Sequence, residues 1–217
     1  MIRLWFPGRA TGKSMNTLIK TIEVLGIIAF ALTGIYEARK KGMDIIGVYS
    51  VAMITAFGGG SLRDLILDRH PLFWIEHYEY AVLVLVLSIG AAVAIVDIFN
   101  KKTMVMLVLT LDALGLGFFS ATGASVADKL GCAPFVSSLL GVTTGVFGGV
   151  MRDMICNEVP YVFQRTELYA TCSFIGTWCY LAVAYGRGNE VMALTVCIAV
   201  TFILRMFAIR YKIKLPI

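Results

Sequence analysis

The chain has 217 residues, of which 59% are hydrophobic and only 15% charged, and its mean hydropathy is +0.82. A soluble domain carries about a quarter charged residues, so this composition excludes one and describes an integral membrane protein. The formal charge of +5 and pI near 9.0 invite a nucleic-acid reading, but the basic residues are scattered through short loops and both termini, with no basic helix or RNA-binding motif, which excludes that too.

In lipid every backbone polar group must be satisfied within the protein, so continuous apolar stretches of this length predict helices. They do not alternate as an outer-membrane barrel would. Residues 1–16 read as a basic N-terminal extension with Arg3, Arg9 and Lys13. Gly8 to Ser14 resembles a phosphate-binding loop, but it has three residues between its glycines where the motif needs four, and no strand precedes it. Met15 would serve as a start just before the first span, which is retained rather than cleaved because it carries Glu23 and belongs to a repeat.

Seven segments are long enough to cross a bilayer, which takes roughly 20 helical residues: 17–36, 45–66, 79–99, 104–126, 133–156, 167–186 and 190–209. The second contains Thr55-Ala56-Phe57-Gly58-Gly59-Gly60-Ser61-Leu62-Arg63-Asp64, and the fifth contains Thr144-Gly145-Val146-Phe147-Gly148-Gly149-Val150-Met151-Arg152-Asp153, 89 residues later. The same offset, without a gap, pairs Glu23 with Asp112, Gly26 with Gly115, Phe30 with Phe119, Thr33 with Thr122, Gly34 with Gly123, Pro71 with Pro160 and Tyr80 with Tyr169. The chain is therefore expected to be duplicated: repeat 1 over 17–100, repeat 2 over 104–186, and an unpaired seventh helix with a basic tail over 190–217. Three spans per copy is an odd number, so the second copy enters the membrane from the other side, which makes the repeat an inverted one. The basic loops at Arg39-Lys40-Lys41 and Lys101-Lys102 and the tail with Arg210, Lys212 and Lys214 lie on one side, against mainly Lys129 and Arg187 on the other. Positive charge stays inside, placing the C-terminus in the cytoplasm and the N-terminus outside.

Glycine runs inside a spanning helix loosen the backbone ladder and free carbonyls to face protein or water. Gly58, Gly59, Gly60, Gly148 and Gly149 are thus expected to kink their helices along a polar path, with Thr55, Thr144 and Phe147 beside them. The competing reading is close helix packing, supported by the small-residue stripe Gly141, Gly145, Gly149 and its counterpart Ala52, Ala56, Gly60. Arg63, Asp64, Arg152 and Asp153 follow within one turn and are expected to form a vestibule. Because adjacent residues do not face each other on a helix, each arginine is expected to pair across to the other repeat or to freed carbonyls. Glu23 and Asp112 form a candidate cation-attracting pair. His70 and His77 read as interfacial loop residues with Trp74, Tyr78 and Tyr80, and Arg205 is expected to snorkel to the surface. Cys132, Cys156, Cys172, Cys179 and Cys197 show no pairing motif and read as buried thiols. No nucleophile–base set, metal cluster or nucleotide fingerprint is present, so neither an enzyme nor a cofactor is expected.

The doubled Gly-Gly-x-x-Arg-Asp, with Pro71 and Pro160 following, resembles the bacterial branch of the trimeric intracellular cation (TRIC) channel family, also labelled as a glycine transporter domain family. The resemblance spans residues 17–212 and implies a homotrimer in the bacterial inner membrane. Each protomer would hold its own path for K+ or Na+ between the second and fifth spans, with the first and fourth alongside. Phe147 stands where Gly58 stands in the first copy, which makes it a candidate gate. The lysine-glutamate-valine motif of animal members is not evident, so phosphoinositide regulation is not expected. Three functions compete: a monovalent-cation channel, a small amino acid transporter working by alternating access, and a scaffold in which the glycines only pack helices.

Overall fold

The structure, a computed structural model, describes residues 13–94, 102–164, 168–186 and 188–214. The phosphate-loop-like Gly8 to Gly12, Lys101 and Arg187 lie outside the described residues. Eight α-helices run α1 Lys13–Lys40, α2 Ile45–Ile66, α3 Phe73–Glu76, α4 Tyr78–Ala94, α5 Lys102–Lys129, α6 Pro134–Ile155, α7 Ala170–Tyr185 and α8 Glu190–Tyr211. A 3₁₀ turn, Tyr161–Phe163, precedes α7. The seven expected segments correspond to α1, α2, α4, α5, α6, α7 and α8. Five are long and apolar enough to cross a membrane, beginning at Lys20, Ile45, Thr103, Pro134 and Glu190; α4 and α7 are apolar but shorter. The four-residue α3 was not expected, since one turn is too short to carry a helical period.

Local signals set the helix ends, and several recur at the 89-residue offset. The Asp44 side chain accepts from the Gly47 N–H at 2.8 Å to open α2, and Asn189 does the same for Met192 at 2.8 Å in α8. Helices α1 and α5 both close on a left-handed glycine, Gly42 at φ 72° and Gly131 at φ 79°. In both, the next residue folds back to a carbonyl five residues upstream, Met43 to Ala38 and Cys132 to Ala127. Beyond α2 and α6 the left-handed residues are Asp68 and Asn157, side chains that tolerate this region. The duplication is thus written into the turns as well as into the motif.

Helices α1, α2, α5 and α6 pack together at the centre; α4 lies on α1 and α2, while α7 and α8 lie on α5 and its neighbours. The central core joins Ile27, Phe30, Ala31 and Ile35 of α1 to Val48, Val51, Ala52 and Phe57 of α2 and to Phe119 of α5. A second core seats Tyr180 and Leu181 of α7 against Leu194 and Cys197 of α8. Val82, Val86 and Ile89 of α4, Val105 and Leu107 of α5, and Ile203 and Phe207 of α8 are exposed. Apolar residues outside as well as inside are what a helix bundle in lipid requires.

Candidate functional site

The motif glycines lie in uninterrupted α-helix, and two of them make a reciprocal contact. Where α2 crosses α6, a Cβ on Gly59 would collide with the Thr144 carbonyl oxygen, and a Cβ on Gly148 would collide with the Thr55 carbonyl oxygen. Gly58 and Gly60 have room, and Gly149 is tight. The nearest atoms to a Cβ on Gly58 or Gly60 are 3.9 Å away, and on Gly149 the Tyr169 hydroxyl is 3.3 Å away. Thr55 and Thr144 are fully buried, and each donates to its own helix at 2.6 Å, to the carbonyls of Val51 and Leu140. Their side chains are seated on Gly34 and Gly123, where a Cβ would lie 2.8 Å and 2.6 Å from the hydroxyl oxygens. Phe147, at the position matching Gly58, is half-buried.

Above this crossing, Phe30 and Phe119 meet with ring centroids 5.2 Å apart and planes tilted by 31°. Each ring lies on a glycine of the other copy, Phe30 on Gly115 and Phe119 on Gly26. The phenylalanine pair packs on the crossing, where Phe30 lies 3.4 Å from a Cβ placed on Gly148.

The two Arg-Asp motifs build charged clusters at opposite ends of the repeated pattern. Arg63 is bound by Asp64 at 2.9 Å and lies 3.7 Å from Glu23, while Arg69 reaches the same Asp64 oxygen at 3.2 Å. The second Asp64 oxygen accepts from the Phe73 N–H at 3.2 Å, tying the loop to α2. In repeat 2, Arg152 is bound by Asp153 and Asp112, both at 2.9 Å, and donates to the Thr33 hydroxyl at 3.1 Å. The second Asp153 oxygen accepts from the Tyr161 N–H at 3.0 Å. Glu23, Arg63, Asp64, Asp112, Arg152 and Asp153 are all buried.

The arginines therefore do pair with their adjacent aspartates, against the expectation from helical facing. The arginine side chain is long enough to curl back within the final turn, where Asp64 and Asp153 already point toward the following loops. The cross-repeat expectation holds only for Arg152 and Thr33. Glu23 and Asp112 are engaged separately, each by the arginine of its own copy. Buried ion pairs cost desolvation, which these clusters offset with several hydrogen bonds per charge.

The two clusters face very different spaces. Asp112, Arg152 and Asp153 line a cavity of about 210 Å³ that includes Glu37, Lys40, Glu158 and Tyr161 and reaches exposed side chains at its rim. Glu23 and Arg63 line a gap of only about 10 Å³ with Phe57, Phe73, Trp74 and Phe119, and on their other side Arg152 and Asp153 line a gap as tight with Tyr161, Val162 and Tyr169. None of these spaces has Phe147 or Gly58 in its wall. Phe73 stacks on Tyr80 at 5.7 Å and meets His77 edge-on at 4.9 Å, so His77 belongs to this aromatic cover, whereas His70 is exposed beside Asp68. Arg205 of α8 does not snorkel. It is 1% exposed, donates to the Leu168 carbonyl at 2.9 Å, and stacks 4.9 Å over Tyr169 and 5.6 Å over Tyr161. Sequence reasoning missed this role because those partners lie about 40 residues away, in a segment whose fold α8 itself completes.

A family model described as Glycine transporter matches the chain twice, over residues 20–96 and 109–185, with both ends offset by 89 residues. The chain belongs to this family, that of the TRIC channels. Among curated proteins it is similar to the UPF0126 inner membrane protein YadS of Escherichia coli (strain K12), 33% identical over 200 residues that cover 92% of this chain and 95% of that one. Among solved structures it is similar to a TRIC cation channel studied for the structural basis of conductance, at 36% identity and TM-score 0.82, covering 91% of this chain and 96% of that one. The TRIC trimeric intracellular cation channel orthologue from Rhodobacter sphaeroides matches at 31% identity and TM-score 0.83, covering 90% and 98%. Family membership thus bears out the resemblance read from the doubled motif, and these solved neighbours are channels rather than enzymes.

Proposed function

We propose that this membrane protein is a monovalent-cation channel with one path per protomer. The observation that carries the reading is the 210 Å³ vestibule between α1, α5, α6 and α8 that ends on Asp112, Arg152 and Asp153, in a chain similar throughout to TRIC cation channels. The path runs between α2 and α6 with α1 and α5 alongside, past Gly58, Gly59, Gly60, Thr55, Thr144, Phe147, Gly148 and Gly149. Seven spans, α1, α2 and α4 to α8, form two inverted copies of three plus one, with the N-terminus outside and the C-terminus in the cytoplasm. That orientation makes the 210 Å³ vestibule the inner mouth and the aromatic-covered Glu23–Arg63 cluster the outer mouth, closed here with the Phe30–Phe119 pair between them. The protomers assemble as a homotrimer in the bacterial inner membrane. Purified protein in a planar bilayer is expected to pass unitary K+ or Na+ currents, and folded protein that passes none refutes the reading.

One observation favours a second reading. A 210 Å³ cavity on the cluster of one copy, against gaps of about 10 Å³ or less at the matched places beside both motifs, suits alternating access for a small amino acid. Saturable, substrate-competed uptake into liposomes without unitary currents would select it.

A further inference from the structure

Helix α8 lies outside both matched repeats, yet it delivers a buried guanidinium to the site of only one of them. Arg205 shares the wall of the 210 Å³ vestibule with Asp112, Arg152 and Asp153. The two rings it stacks on belong to residues beside those carboxylates: the Tyr161 backbone N–H holds Asp153 at 3.0 Å, and the buried Tyr169 lies with Arg152 and Asp153 around one tight gap. The other copy needs no such helper. There Glu23, Arg63 and Asp64 are balanced by Arg69, 3.2 Å from Asp64. The residue 89 positions after Arg69 is Glu158, of opposite charge, and it turns away to Lys41. With two carboxylates and one guanidinium, the Asp112–Arg152–Asp153 cluster is left one charge negative, and Arg205 is the cation that α8 supplies beside it.

We propose that Arg205 is the charge-setting and positioning residue of the inner vestibule: it holds Tyr161 and Tyr169 against the two carboxylates and offsets their excess charge, limiting how strongly the mouth concentrates cations. This rests on the channel reading given above. Neutralising Arg205 with Arg205→Gln, whose amide can still donate to Leu168, makes the vestibule more negative. One unit charge acting across roughly 7 Å of water changes local cation concentration about threefold, so K+ conductance rises by that factor at about 10 mM salt and matches the wild type at about 1 M, where the screening length is only about 3 Å. Arg205→Lys, which keeps the charge but not the planar stack on the two rings, raises low-salt conductance far less than Arg205→Gln does. Adding Glu158→Gln to Arg205→Gln, which removes one negative charge from the same wall, returns conductance toward the wild type.

The measurement is unitary K+ conductance of purified, monodisperse protein in planar bilayers across that salt range. A silent wild type sinks the channel reading itself. A conducting wild type whose Arg205→Gln variant shows the same conductance at low salt, or a difference that persists at high salt, overturns the role of Arg205 alone. Should Arg205→Gln not fold, Arg205→Lys carries the same test. Lysine titrates between about pH 7 and pH 11 while arginine stays charged, so low-salt conductance rises with pH in that variant beyond any rise in the wild type. Equal pH dependence in the two overturns the proposal.

Discussion

Gly59 and Gly148 have no space for a methyl group, whereas Gly58 and Gly60 do. Alanine at Gly59 or Gly148 is expected to cost about 1–3 kcal/mol, as overpacking does, while Gly60→Ala gains up to about 1 kcal/mol from helix propensity. Thermal unfolding in detergent separates them, and a Gly60→Ala loss as large as that of Gly59→Ala would refute the packing account. The sequence shows all five glycines alike; which of them meets a carbonyl depends on how α2 and α6 cross, and no local pattern encodes that angle. Glu158 makes a second residue-scale prediction. The hydrogen bond and charge of Lys41 hold its exposed carboxyl below the ordinary 4.5. A lowered acid stabilises the fold fully above 4.5 and loses that contribution as pH falls through its lower folded value. The melting-temperature gap between wild type and Glu158→Gln, present at about pH 7, therefore closes toward about pH 3. A gap that ignores pH excludes the ion pair as its source.

At the scale of elements, the single turn α3 lines the gap over one charged cluster. It is tied down by the Phe73 N–H on Asp64 and brings Phe73 and Trp74 to that gap; in repeat 2 the 3₁₀ turn, tied to Asp153 through Tyr161, lines a gap just as tight, and the 210 Å³ cavity reaches the cluster from another side, past Glu37 and Lys40. Trp74→Ala is expected to enlarge the outer gap and raise open probability in single-channel records; unchanged gating would place the closure elsewhere, at Phe30 and Phe119. The long helices were legible because their apolar runs far exceed a turn and because the 89-residue offset confirmed each one twice. The turn α3 was not, since four residues carry no period. The Arg63–Asp64 pairing was misjudged for a different reason: helical facing rules describe side chains in mid-helix, and these lie in a last turn, where a long arginine can curl back.

For the whole molecule, the inverted arrangement makes a direct prediction about sidedness. Asp68 and Asn157 close the two motif helices with the same left-handed backbone, and both are exposed. Cysteines placed there, in a background with Cys132 and Cys179 changed to serine, are expected to react with an impermeant thiol reagent from opposite faces of the membrane. Labelling of both from one face would refute the inversion. The duplication itself was plain in the sequence, and the inequality of its halves was visible as Gly58 against Phe147, which line neither of these cavities, and as Arg69 against Glu158, while the part played by Arg205 depends on how α8 packs. The reciprocal contact between Gly59 and Thr144 and between Gly148 and Thr55 has a mechanical consequence. It works as a fulcrum: the two helices touch backbone to backbone at this point, so a tilt of α2 on α6 that spreads them at one end draws them together at the other. The two mouths are then the opposite arms of one lever.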